Sequence, residues 1–145
     1  MKRFNVRVYG IHINERNELL VTDETYRERS FTKFPGGGLE WGEGTIACLK
    51  REFEEEFQLS IQVKDLLYTT DFFQVSTFHE NDQVIAIYYL IAINLDDVES
   101  VIAQNKSEEK LRWIPINELS TNDLTFPVDK HVVELLKKKT INFSN

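Results

Sequence analysis

Apolar and polar residues alternate at the start of this chain and then shift to helical spacing in its middle and at its end. Phe4 to Asn14 places Val6, Val8 and Gly10 on one side and Tyr9, Ile11 and Ile13 on the other, which predicts a strand covered on both faces. Asn14-Glu15-Arg16-Asn17 supplies turn formers ahead of Leu19-Leu20-Val21, so a hairpin-like connection into a second strand is expected, with a polar loop from Asp23 to Lys33 after it. Pro35 and the run Gly36, Gly37 and Gly38 predict a tight loop whose backbone can approach a ligand or another segment closely.

From Thr45 to Phe57 the apolar residues Ile46, Leu49, Phe53 and Phe57 recur at three- and four-residue steps, the mark of an amphipathic helix, with Gly44 or Thr45 as its N-cap. Ile61 to Val75 reads as one or two strands, Glu80 to Gln83 as a turn, Val84 to Ile93 as a buried strand and Leu111 to Ile114 as a shorter one. Pro127 opens a second helix along Val128, Val132, Leu135 and Leu136, with Asp129 in its first turn and Lys137, Lys138 and Lys139 in its last, complementing the helix dipole. Strands mixed with one internal and one terminal helix predict an α/β fold, a mixed β-sheet with helices on both faces. No repeat or linker divides the chain, so residues 1–145 are read as a single domain.

Composition narrows the class. Hydrophobic residues make up 41% and charged residues 28% of the chain, as in ordinary soluble globular proteins. The net charge of -7 repels polyanions, which argues against DNA or long RNA as the main partner. The single cysteine, Cys48, suits a reducing compartment, and no export signal is visible near Met1, so a cytoplasmic location is expected. The longest apolar run, Val84 to Ile93, is about half the ~20 residues a membrane-spanning helix needs, so no membrane association is expected.

Glu52, Glu54, Glu55 and Glu56 crowd negative charge near the C-terminal end of the predicted helix, where the dipole already disfavours it. Glu52, Glu55 and Glu56 stand at i, i+3 and i+4 and share one face, each like-charge neighbour costing about 0.2–0.5 kcal/mol in an isolated helix. A bound cation reverses that sign. Carboxylates without paired histidines or cysteines are hard oxygen ligands suited to Mg²⁺ or Mn²⁺. A merely solubilising helix face is the competing reading.

Gly37, Glu43, Arg51, Glu52, Phe53, Glu55, Glu56 and Leu59 form the pattern G-x5-E-x7-R-E-U-x-E-E-x-x-U, with U a bulky apolar residue. It resembles the signature of the MutT-like Nudix hydrolases, from which it departs only at Gln58, where the signature has glycine. A left-handed helix end disfavours a side chain by roughly 1 kcal/mol, so Gln58 is expected either to take positive φ or to let the helix run on.

The resemblance implies a Nudix-type α/β/α sandwich and metal-dependent hydrolysis of a diphosphate bond in a small nucleotide-like substrate. It implies Glu52, Glu55 and Glu56 as metal ligands, one of them a base for the attacking water, and the Gly36 carbonyl as a further ligand. Arg51 matches the position that orients a signature glutamate, and Glu43 that of a supporting carboxylate. Family members often recruit another acidic ligand outside the signature; Glu108 and Glu109 are favoured over Glu80 and Asp82. Homodimers are common among similar proteins.

Arg27, Arg29 and Lys33 precede the glycines and are candidates for phosphate contacts. Trp41, Phe72, Phe73 and Phe78 are candidates for stacking on a base, with Phe73 favoured. The leading expectation is a nucleoside diphosphate linked to another moiety, cleaved to a nucleoside monophosphate and a phosphorylated product. Modified nucleoside triphosphates are the nearest alternative. A catalytically silent nucleotide-binding module is another, and hydrolysis of capped or 5′-triphosphate RNA a fourth that the net charge disfavours.

Overall fold

The computed structural model describes residues 1–143. In chain order its elements are β1 (Arg3–Ile11), β2 (Glu18–Tyr26), β3 (Arg29–Lys33), β4 (Gly36–Gly38), α1 (Thr45–Phe57), β5 (Gln62–Thr69), β6 (Asp82–Ala92), α2 (Leu95–Gln104), β7 (Lys110–Pro115) and α3 (Pro127–Phe143). The strands form two sheets: a mixed one in the order β4-β1-β6-β5, with β1 and β6 parallel, and an antiparallel one in the order β3-β2-β7. The alternation in β1 decides the layers. Val8 joins Leu20, Ile91 and the α1 residues Leu49, Phe53 and Phe57 in one core, while Tyr9 and Ile11 join Val21, Tyr88 and the α3 residues Val132, Val133 and Leu136 in the other. Helices thus cover both faces, an α/β/α sandwich, and each fully buried Phe or Leu contributes about 1.5–3 kcal/mol to holding them there.

Several expectations need correction. The segment Asp23–Lys33 is not a loop: β2 runs through Tyr26 and pairs with β3. Its two-residue turn consists of Arg27 and Glu28, both at positive φ, so it lacks the Gly or Asn that marks such turns. The three glycines form β4, paired antiparallel with β1 at Arg7, Val8 and Tyr9. Helix α2 was not expected, although Asn94 caps it by accepting from the Asp97 N–H and Val98, Val101 and Ile102 follow helical spacing. Helix α3 continues to Phe143, so Lys137 and Lys138 precede its last turn.

α1 spans the predicted residues, with Gly44 as N-cap and no side-chain cap bond. Gln58 ends it at φ 54°, ψ 38°, its N–H donating to the Glu54 carbonyl and the Leu59 N–H to that of Phe53. Its side chain donates to the Glu55 carbonyl at 3.2 Å. Gln58→Gly is therefore expected to raise stability by about 0.5–1 kcal/mol, the left-handed penalty less the lost side-chain bond. Urea unfolding checks this, and a lower midpoint would contradict the assigned strain.

Candidate active site

The glutamates of α1 are positioned by the strand beside them. Gly36 sits at φ 149°, and a Cβ there would lie 2.1 Å from the Val8 carbonyl oxygen, so only glycine lets β4 lie against β1. At Gly37 a Cβ would lie 2.4 Å from the Glu52 carboxyl carbon. The missing side chain is the cradle in which that carboxylate rests. Gly37→Ala is expected to displace Glu52, the flexible partner, rather than the backbone, lowering activity about 10-fold or more with a small change in unfolding midpoint. Activity and thermal melts on the same preparation check it; unchanged turnover would mean that the position of Glu52 does not matter.

Arg51 ties the cluster together. It clamps Glu43 through two bonds, Nε to Oε2 at 2.9 Å and Nη2 to Oε1 at 2.7 Å. Its Nη1 donates to Glu52 and to Glu55, each at 3.1 Å, and Nη2 donates to the Gly38 carbonyl at 3.1 Å. These bonds hold the Glu43 carboxyl down at about 2, well below its ordinary range. Cys48 beneath them is buried, and burial pushes its thiol up to about 12, an inert state.

Glu56 faces away from Arg51. Its Oε1 accepts from the Glu109 N–H at 3.3 Å, and burial raises its carboxyl above the usual range. Among the described residues no three acidic, histidine or cysteine side chains converge into a ready metal cage. The cause is electrostatic: like-charged carboxylates spread onto whatever donors are near, here Arg51 and the Glu109 amide. The donor set nevertheless suits a hard divalent ion, because it is all oxygen, lies on one helix face and includes a carboxylate seated against glycine backbone.

Of the other predicted ligands and substrate contacts, Glu109 comes beside Glu56 through its backbone N–H. Glu109 turns inward and pairs with Lys33 at 3.0 Å, while Glu108 is exposed. Glu80 is exposed and Asp82 is bound to Arg3. Lys33 is buried in the wall of the cavity described next, with its ammonium paired to Glu109. Arg27 in the β2–β3 turn and Arg29 at the start of β3 stack over Tyr26 and Phe78 respectively. Phe73 is exposed and lies outside the cavity described next, and Phe72 packs against His131. Phe78 and the exposed Trp41 do line it.

That cavity, about 740 Å³, is of nucleotide size and is floored by β1 and β6. Tyr26, Phe31, Phe78 and Phe126 supply interlocking aromatic walls. Two polar residues here were not anticipated. Asp129, 2% exposed, accepts from the Tyr88 hydroxyl through Oδ1, and its Oδ2 has no partner. Burial pushes its carboxyl up to about 6. Arg7 donates from Nε to the Tyr9 hydroxyl at 3.0 Å, and its Nη1 would stand 3.4 Å from a Cβ on Gly38. It links the cavity to the glycine strand. The sequence signal for Arg7 was a lone cation inside an apolar alternation; Asp129 was read as a dipole complement.

The family profile described as the NUDIX domain matches residues 3–136. Similar solved structures include the solution structure of the E. coli ORF135 protein, with TM-score 0.70 and 14% identity, covering 96% of this chain and 92% of that one. The crystal structure of MutT protein from Methanosarcina mazei Go1 has TM-score 0.70 and 17% identity, with 96% of each chain covered. The solution NMR structure of DNA mismatch repair protein MutT, a Nudix family hydrolase, from methicillin-resistant Staphylococcus aureus 252 has TM-score 0.66 and 24% identity, covering 96% and 99%. At these identities the likeness concerns the fold. No curated protein sequence matches the chain. No helix among the described residues is long and apolar enough to cross a membrane.

Proposed function

The chain belongs to the Nudix family of pyrophosphohydrolases, and from that premise we propose that it hydrolyses, with Mg²⁺ or Mn²⁺, the diphosphate of a nucleoside diphosphate linked to another moiety. The products are a nucleoside monophosphate and the phosphorylated second moiety. The observation that carries this reading is Arg7, which lines a nucleotide-sized aromatic cavity, reaches Gly38 and interacts with Glu52 on the carboxylate face of α1.

Glu52, Glu55 and Glu56 would hold the metal, which when bound neutralises the diphosphate and lowers the pKa of a bound water. Arg51 sets the rotamers of Glu52 and Glu55 and is itself fixed by Glu43. Arg7 offers its guanidinium edge to a phosphate oxygen next to Gly38. The aromatic walls stack on the base and exclude water, and the free Oδ2 of Asp129 accepts from a donor on it. A modified nucleoside triphosphate is the second reading, favoured by that buried acceptor, which can discriminate among altered base edges.

A substrate panel tests both: nucleotide sugars, dinucleoside polyphosphates, ADP-ribose and oxidised nucleoside triphosphates, each with and without Mg²⁺. Metal-dependent cleavage of a linked nucleoside diphosphate is the expected result, and cleavage confined to triphosphates would establish the second reading. Tight binding of one compound with no turnover in either metal would replace both with a silent binding module.

A further inference from the structure

We infer that the Lys33 ammonium is a resident cation, occupying the place between the glycine strand and Glu109 that a further divalent ion would otherwise take. This rests on the metal reading of α1 above, and it limits metal to the α1 face.

Lys33 is 3% exposed, and the atoms around its Nζ are those of a hard-cation site. Glu109 Oε1 lies at 3.0 Å, and the carbonyl oxygens of Phe34 and Gly36 both lie at 3.4 Å. The Tyr9 ring, its centroid 5.7 Å away, closes another side. Glu24 adds a second acidic side chain nearby, and Glu56 stands next along the same path through the Glu109 amide. The Glu109 carboxylate and the two carbonyls take all three N–H donors of the ammonium.

Two oxygens expected to serve a metal, the Gly36 carbonyl and Glu109, are therefore already committed to a cation that the chain carries itself. A divalent ion approaching the same oxygens meets a fixed like charge in a poorly screened interior. Nor does Lys33 serve a phosphate: it lines the cavity, but it is buried and its three donors are directed to these oxygens. Replacing it with an uncharged side chain leaves the oxygen set intact and removes the occupant.

Mn²⁺ counted by electron paramagnetic resonance, in the full chain without nucleotide, tests this. Lys33→Gln is expected to bind about one more Mn²⁺ per chain than wild type, and Lys33→Arg the same number as wild type. Equal numbers in wild type and Lys33→Gln overturn the inference while leaving the α1 site standing. No Mn²⁺ on either removes the α1 reading and this one with it. Should Lys33→Gln fail to fold, wild type still decides: under reductive methylation read by mass spectrometry, Lys33 is expected to stay unmodified with or without Mn²⁺. Its labelling on Mn²⁺ addition would show the ammonium yielding to metal and overturn the inference.

Discussion

Glu56→Gln is expected to lower kcat by about 10²–10⁴-fold at saturating Mg²⁺, the range for removing a group that moves a proton or holds the metal that does. Stability should be unchanged or slightly improved. The amide oxygen can keep the bond from the Glu109 N–H, and a half-buried charge that burial already disfavours is gone. Glu54 is the control: it is exposed on the same helix and takes part in none of the arrangement around Arg51. Turnover in Glu54→Gln should match wild type. If Glu56→Gln turns over normally, or both variants fall together, the site is wrongly placed.

The second large effect is a pH dependence of stability. Asp129 has its carboxyl pushed from 3.8 to about 6, chiefly by burial, with the Tyr88 hydroxyl acting in the opposite direction. Between those values the folded protein keeps a proton that the unfolded chain has released, so stability falls as pH rises and the loss is nearly complete above pH 6. Asp129→Asn has no such ionisation. The stability of this variant relative to wild type is expected to rise by about 2–3 kcal/mol between pH 4 and pH 7, measured by urea unfolding at each pH. Glu24, raised to about 7, and Glu43, lowered to about 2, act in both proteins and cancel in the difference. Parallel pH curves would mean that Asp129 is not desolvated as its surroundings indicate.

Local pattern explains which elements were legible. The span of α1 was legible because its apolar face and glycine entry lie within one short segment, whereas of the two ends left open at Gln58 the structure takes the left-handed one. α2 carried the same kind of signal in Asn94, Val98, Val101 and Ile102, but with only Val98 fully buried its apolar stripe is weak. The β2–β3 hairpin was hidden for another reason. Arg27 and Glu28 take positive φ without being the residues that favour it, and tertiary packing of Phe31 against Phe78 and Phe126 supports the strand.

The order of residues alone determined that three carboxylates share a helix face, while the resemblance to the Nudix signature placed the Gly36 carbonyl, Arg51 and Glu43 with them. Helical periodicity and short loops bring those groups together over a few residues. Only the tertiary structure decided that Lys33 meets Glu109, that Arg7 reaches the glycine strand, and that Asp129 is sealed beside Tyr88. Each of those meetings joins elements far apart in the chain through sheet register and layer packing. Burial then changes what the same residue type does, turning an expected phosphate ligand into an internal counter-ion and an acid read as a dipole complement into a buried acceptor for Tyr88.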